Sequence, residues 1–300
     1  MSFEKIVEDI KTLKIQGAQR IAKAACEALN DHTQNSQAKT KEELTEQIIQ
    51  AKKILFQTRP TEPFLRNNLN YLFYNLNGEN VKELKNNLDT NTKQLLKNLE
   101  KDEKNIAVIG ARKIKNDMII FTHCHSNTVI DILKEAWNQG KKFTVHNTET
   151  RPRFQGRKTA EELAKHGIPV EFYVDSGARL ALKKADMMLI GADAITTEGI
   201  IINKIGSEMF AEIAHKINIP AYSCTHSWKF DPLTVFGYEE EIEKRKDEEI
   251  WENAPKGINI NNYAFERVNP ELVAGIISEI GIFKPETFVE ELKKRNNWMF

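Results

Sequence analysis

Residues 117–148 read DMIIFTHCHSNTVIDILKEAWNQGKKFTVHNT, and this stretch decides the fold. DMIIFT (117–122) is a short apolar run, SNTVIDILKEAWNQG (126–140) repeats apolar residues at helical spacing and ends on glycine, and KFTVHNT (142–148) is a second short apolar run. Strand, helix and strand in that order form a right-handed βαβ unit with parallel strands. PVEFYV (169–174), ADMMLIG (185–191) and IPAYSC (219–224) repeat the strand signal, with helical patterns at 158–166 and 207–217 between them. The alternation predicts a parallel sheet covered on both faces.

Upstream the character changes. Segments 3–30, 40–57, 62–75 and 80–104 space their apolar residues helically and carry many Lys, Glu and Asn. IAVIGARKI (106–114) is too short for periodicity to separate helix from strand, and we read it as helix. The chain is therefore expected to be an α/β protein, with a helical N-terminal domain over 1–115 and a parallel-sheet domain over 116–300.

Composition narrows the function classes. Three hundred residues with 40% hydrophobic content suffice for a substantial core. Lys+Arg and Asp+Glu balance at 43 each, so net charge advertises neither a nucleic-acid nor a membrane partner, and an anionic substrate must be held by local cations. No apolar run approaches the roughly 18 residues of a spanning helix, and MSFEKIVEDIKTLK lacks the apolar core of a signal peptide, so a soluble cytoplasmic protein is expected. Cys26, Cys124 and Cys224 are far apart with no C-x-x-C pattern, and are expected to be free thiols.

In an open parallel sheet the ligand crevice lies at the carboxyl ends of the strands. Every run here ends on polar residues. His123 to Ser126 follow the first, and Arg151, Arg153 and Arg157 surround Gln155-Gly156 after the second. Asp193, Asn203 and Lys204 come after ADMMLIG, and His226 and Lys229 come after IPAYSC. Three readings of His123-Cys124-His125 stay open: a metal nest, histidines satisfied by backbone carbonyls, or a reactive thiol. The histidines lack a metal signature, and no metal is expected. Ser126 suits the N-cap of the following helix, which would place Cys124 beside a positive helix end. The arginine cluster reads either as a solvated face or as a loop whose guanidinium forks hold phosphate. Asp193 reads either as a turn cap or as a group that exchanges a proton.

THCHS (122–126), TETRPRFQGRKTAEELAKHGIPV (148–170), VDSGARL (174–180), GADAITTEGIIINKIGS (191–207) and NPELVAGIISEIGIFKPE (269–286) together resemble the archaeal ribose-1,5-bisphosphate isomerases. Those enzymes share a superfamily with the alpha, beta and delta subunits of the translation factor eIF2B and with the methylthioribose-1-phosphate isomerases. KIQGAQRIAKAA (14–25) and ILFQTRPTEP (54–63) extend the resemblance toward the N-terminus. It implies a Rossmann-like C-terminal domain and conversion of alpha-D-ribose 1,5-bisphosphate to D-ribulose 1,5-bisphosphate in AMP salvage. Cys124 and Asp193 match the catalytic thiol and carboxylate. Arg59, Ser126, Arg151, Gln155, Asn203, Lys204 and Lys229 match substrate-binding positions. Gln16, Gly17 and Ala18 occupy a motif that usually begins with arginine, so backbone N–H groups and a neutral amide replace a guanidinium. GADAITTEG is not a dinucleotide fingerprint, and no cofactor is expected. The alternative reading is a non-catalytic eIF2B-like regulatory subunit.

The resemblance also implies a homo-oligomer, a dimer or hexamer. ELVAGIISEIGIF (271–283), with Ile250, Trp251 and Phe265, is the expected pairing surface unless these residues complete the chain's own sheet.

Overall fold

The computed structural model describes residues 2–239 and 241–300. They divide into two compact units, Met1–Lys101 with Trp228–Phe230 and Asn296–Phe300, and Asp102–Ser227 with Asp231–Arg295.

The first unit is helical: α1 Phe3–Lys11, α2 Ala18–Gln34, α3 Lys41–Phe56, α4 Pro63–Tyr74 and most of α5 Val81–Ala111. Local chemistry sets the starts. Ser2 and Thr40 accept the N–H groups of Lys5 and Glu43, and Pro63 opens α4 where its missing N–H costs nothing. The segment read as continuous over 3–30 breaks at 12–17, because Leu13 (φ 58) and Gly17 (φ 88) are left-handed and the Asp9 carbonyl takes the Lys14 and Ile15 N–H groups at 2.9 and 3.0 Å. Ile21, Leu29, Leu44, Ile48, Leu55, Phe64 and Leu65 form the centre of the core. Asn67 Nδ2 donates to the Trp228 and Phe230 carbonyls at 2.7 and 2.8 Å, and Phe230 stacks on Phe300 with ring centroids 4.9 Å apart. Those contacts place both short C-terminal pieces in this unit.

Residues 106–111 are helical, as read, and end α5. Ile106 and Ala111 join the core of the second unit, with Ile114 just beyond.

The second unit runs β1 Ile119–Thr122, α6 Asn127–Asn138, β2 Thr144–Thr148, α7 Gln155–Lys165, β3 Val170–Tyr173, α8 Ala178–Leu182, β4 Met187–Ile190, β5 Ala194–Ile195, β6 Ile201–Lys204, α9 Ser207–Lys216, β7 Ala221–Cys224, β8 Phe265–Val268, β9 Gly275–Ser278, β10 Gly281–Phe283 and α10 Pro285–Arg295. All five strand readings hold. The main sheet has the order β10-β9-β7-β4-β1-β2-β3 and is parallel except for β10. The chain winds outward from β1 through β2 to β3, then returns to the other side of β1 for β4, β7 and β9. That reversal makes a switch point between β1 and β4, where ligands bind in such sheets. A second antiparallel sheet, β5-β6-β8, follows from β4.

The stretch 271–283 needs correcting as a pairing surface. Its centre is β9, fully buried against β7, and Ile276 and Ile277 have no exposed surface. A parallel strand buried on both faces reads like an apolar interface, and these residues complete the chain's own sheet. Ile250 and Trp251 do remain exposed, at 39% and 48%. Among the described residues, no helix is long and apolar enough to cross a membrane.

Candidate active site

The carboxyl end of β1 carries His123, Cys124 and Ser126. Ser126 caps α6, accepting the Val129 N–H at 3.4 Å. His123 is buried with both ring nitrogens committed: Nε2 lies 2.9 Å from the Ile205 carbonyl and Nδ1 2.6 Å from the Thr148 hydroxyl. The carbonyl can only accept, so Nε2 carries the proton and Nδ1 accepts. Burial pushes the imidazole down to about 4, against the smaller opposing pull of the Ile205 carbonyl and Asp175. His123 is thus a satisfied structural histidine. His125 Nδ1 meets the Thr159 hydroxyl at 3.1 Å, and among the described residues no three His, Cys, Asp or Glu side chains are grouped as a metal ion would require.

Cys124 is half-buried and left-handed, with φ 68. Its N–H donates to Thr150 Oγ1 at 2.9 Å and its carbonyl accepts from Thr159 Oγ1 at 2.7 Å. Burial pushes the thiol up to about 11, Lys204 pulls it down most strongly, and Asp193 adds to the rise.

The loop after β2 folds back on its strand. A Cβ on Gly156 would lie 1.8 Å from the Thr148 carbonyl oxygen, so only glycine permits the turn that starts α7. The Asp175 carboxylate holds the loop by accepting the Thr150 and Arg151 N–H groups at 2.9 and 2.7 Å. The three arginines differ. Arg153 faces Glu249 at 3.7 Å and Arg157 faces Glu149 at 3.9 Å, whereas Arg151 donates to the Ile250 carbonyl at 3.4 Å and lies over the Phe154 ring, 5.3 Å from its centre. Gln155 Oε1 is buried without a hydrogen-bond partner.

Across the switch point, Asp193 follows β4 and donates its N–H to the Ile202 carbonyl at 2.8 Å, which opens the β5–β6 hairpin. A Cβ on Gly191 would lie 2.9 Å from Ser126 Oγ and 3.7 Å from Asn203 Oδ1, so the ends of β1, β4 and β6 converge. Asn203 donates to Ser207 Oγ at 2.8 Å. Lys204 is 7% exposed, its ammonium 4.5 Å from the Phe265 ring centre; burial lowers its pKa while Cys124 and Asp193 raise it. Cys124, Ser126, Asp193, Asn203 and Lys204 therefore form one cluster, with Arg151 and Gln155 on the adjacent β2 end.

The remaining expected residues belong to the helical unit. Gln16 is exposed and donates to the Leu13 carbonyl, Gly17 and Ala18 open α2, Arg59 faces Glu62 at 3.7 Å, and Lys229 closes the short turn Ser227–Lys229. Sequence reading missed Arg245, which acts electrostatically on both Cys124 and Lys204. It sits inside the charge run EEIEKRKDEEI (240–250), a composition that ordinarily marks a solvated face.

Known proteins agree with this architecture. The chain is 39% identical to the ribose 1,5-bisphosphate isomerase of Pyrococcus furiosus, over 98% of this chain and 94% of that one. It is 38% identical to the enzyme of the same name from Thermococcus kodakarensis, over 98% and 94%. Its fold is similar to the crystal structure of the Pyrococcus horikoshii translation initiation factor eIF-2B, with a TM-score of 0.83 and 27% identity, covering 96% of this chain and 98% of that one. The family model described as the initiation factor 2 subunit family matches residues 14–285. On this match and these relatives, the protein belongs to the initiation factor 2 subunit family.

Proposed function

We propose that the protein is an aldose–ketose isomerase that converts ribose 1,5-bisphosphate to ribulose 1,5-bisphosphate. The observation that carries this reading is a thiol and a carboxylate at the ends of neighbouring strands β1 and β4, flanking the switch point beside a buried ammonium. Curated relatives named for that activity support it over the regulatory-subunit alternative.

The chemistry asks for both groups. With O1 phosphorylated, the sugar cannot open to a free aldehyde, so an acid must protonate the ring oxygen while a base removes the C2 proton. A thiol beside a carboxylate holds one proton between them. The reaction needs that shared proton on Asp193 and Cys124 as a thiolate, whose charge the neighbouring Lys204 ammonium stabilises. Asp193 then protonates the ring oxygen and the Cys124 thiolate takes the C2 proton, leaving an enol phosphate. Cys124 returns that proton to C1 as the C2 hydroxyl gives its own to Asp193, which forms the C2 ketone and restores both groups. We assign Ser126, Arg151, Gln155, Asn203 and Lys204 to substrate binding, and expect the enzyme to work as a cytoplasmic homo-oligomer without a cofactor. Carbon NMR of the purified protein with ribose 1,5-bisphosphate tests the reading: a C2 ketone signal should grow, and its absence under turnover conditions refutes the activity.

A further inference from the structure

Arg245 is built into the edge of the small sheet rather than left on a mobile surface. Its N–H donates to the Asn262 carbonyl at 2.9 Å, the Ala264 N–H donates to the Glu243 carbonyl at 2.9 Å, and Lys244 bridges Tyr263 in antiparallel register. This ribbon runs directly into β8, where Phe265 stands opposite Lys204 of β6. The result is two cations over one ring, the Lys204 ammonium 4.5 Å and the Arg245 guanidinium 5.8 Å from the Phe265 centre. Arg245 is only 13% exposed in its side chain, and Glu243 takes its Nε at 3.2 Å. Among the described residues that is its one charged hydrogen-bond partner. The fork of terminal nitrogens is thus oriented by a carboxylate behind it and a ring beneath it, an arrangement suited to a tetrahedral oxyanion. Two adjacent cations in a desolvated place repel each other, and an anion between them removes that repulsion.

We propose that Arg245 is a further phosphate-binding residue of this site, gripping one phosphate of the sugar with its terminal guanidinium nitrogens while Lys204 meets the same anion across Phe265. The proposal rests on the isomerase reading only for the identity of the sugar. A bisphosphate has a second arginine to engage in Arg151, in the loop after β2.

The test uses inorganic phosphate as the probe and Cys124 as the reporter. Cys26 and Cys224 are fully buried, so alkylation by iodoacetamide at fixed pH reads Cys124, with Cys124→Ser as the control. Phosphate should slow alkylation of the wild-type protein. The concentration giving half-protection should rise about tenfold or more in Arg245→Gln and recover in part in Arg245→Lys, a point charge without the fork. Half-protection unchanged in Arg245→Gln, or no protection of the wild type, overturns the proposal. Turnover of ribose 1,5-bisphosphate by the same preparations separates this from the isomerase reading. An active wild type with unchanged KM in Arg245→Gln sinks Arg245 alone, whereas an inactive wild type sinks the activity and leaves the protection data to judge Arg245.

Discussion

The Thr159 hydroxyl donates to the Cys124 carbonyl at 2.7 Å, so a helix on the neighbouring βαβ unit fixes the backbone of the reactive thiol. Cys124 needs that restraint, because a non-glycine residue with φ 68 is disfavoured unless its surroundings hold it there. Thr159→Val keeps the shape and removes the donor. We expect a loss of about 1 to 3 kcal/mol in urea unfolding, the usual cost of a buried acceptor left unpaired. Steady-state kinetics should show kcat falling with KM little changed, since the hydroxyl holds the thiol and not the phosphates. A variant with wild-type kcat would show that the carbonyl contact does not position Cys124.

Cys124→Ser and Asp193→Asn should each fold normally and each lose at least about nine-tenths of turnover, because a well-placed acid–base group contributes about 10² to 10⁴ in rate. The serine variant keeps the size of the side chain but is far too weak an acid to shuttle the C2 proton. The asparagine variant keeps hydrogen bonding but cannot protonate the ring oxygen. Circular dichroism checks the fold. Retention of more than a tenth of the rate by either variant removes that residue from the proton-transfer scheme.

Much of this was legible in the residues. Short apolar runs bounded by polar ends located five of the seven strands of the main sheet, and Ser126 was readable as a cap because a hydroxyl before a helical pattern has a defined job. What stayed hidden has identifiable causes. β5 and β6 are a two-residue and a four-residue strand inside a polar motif, too short for a period-2 signal. β9 lacks alternation because both its faces are buried, so it looked like an exposed apolar interface. Arg245 was invisible because its neighbours are all charged, and only the pairing of 243–245 with 262–264, which runs into β8, brings it to Lys204.

The two perturbed groups at the β1 end give opposite pH limbs. His123 has its folded pKa depressed from 6.5 to about 4, so between those values the unfolded chain binds more protons than the folded one. Its contribution is complete above the unfolded value and is lost as pH falls through this window, about 3 kcal/mol in all. Cys124 is raised from 9.0 to about 11, so its contribution is present below pH 9 and fades as pH rises toward 11. Urea unfolding across pH should show both limbs. In His123→Gln the acid limb should flatten by up to one proton's slope, with the alkaline limb unmoved. An acid limb identical to wild type would mean that His123 is not held neutral in the folded chain.

Oligomeric state is the remaining expectation, and exposed apolar side chains give it a candidate surface outside β9. The apolar residues of β9 are consumed by the chain's own sheet, but the second unit leaves Phe236 83%, Tyr238 51%, Trp251 48% and Val235 44% exposed. Large apolar side chains concentrated in 233–251 are unusual for a free surface, where contiguous patches rarely exceed a few hundred Å². A stable dimer would bury about 1,200 Å² or more of total surface, and aromatic anchors such as Phe236 and Trp251 dominate interfaces of that size. We expect light scattering at micromolar concentration to report at least twice the 34.5 kDa chain mass. Phe236→Glu combined with Trp251→Glu should shift the population to monomer, because burying an unpaired carboxylate in an apolar contact is costly. A wild-type particle of single-chain mass would reject the dimer. An oligomer undisturbed by the double variant would place the contact elsewhere on the chain.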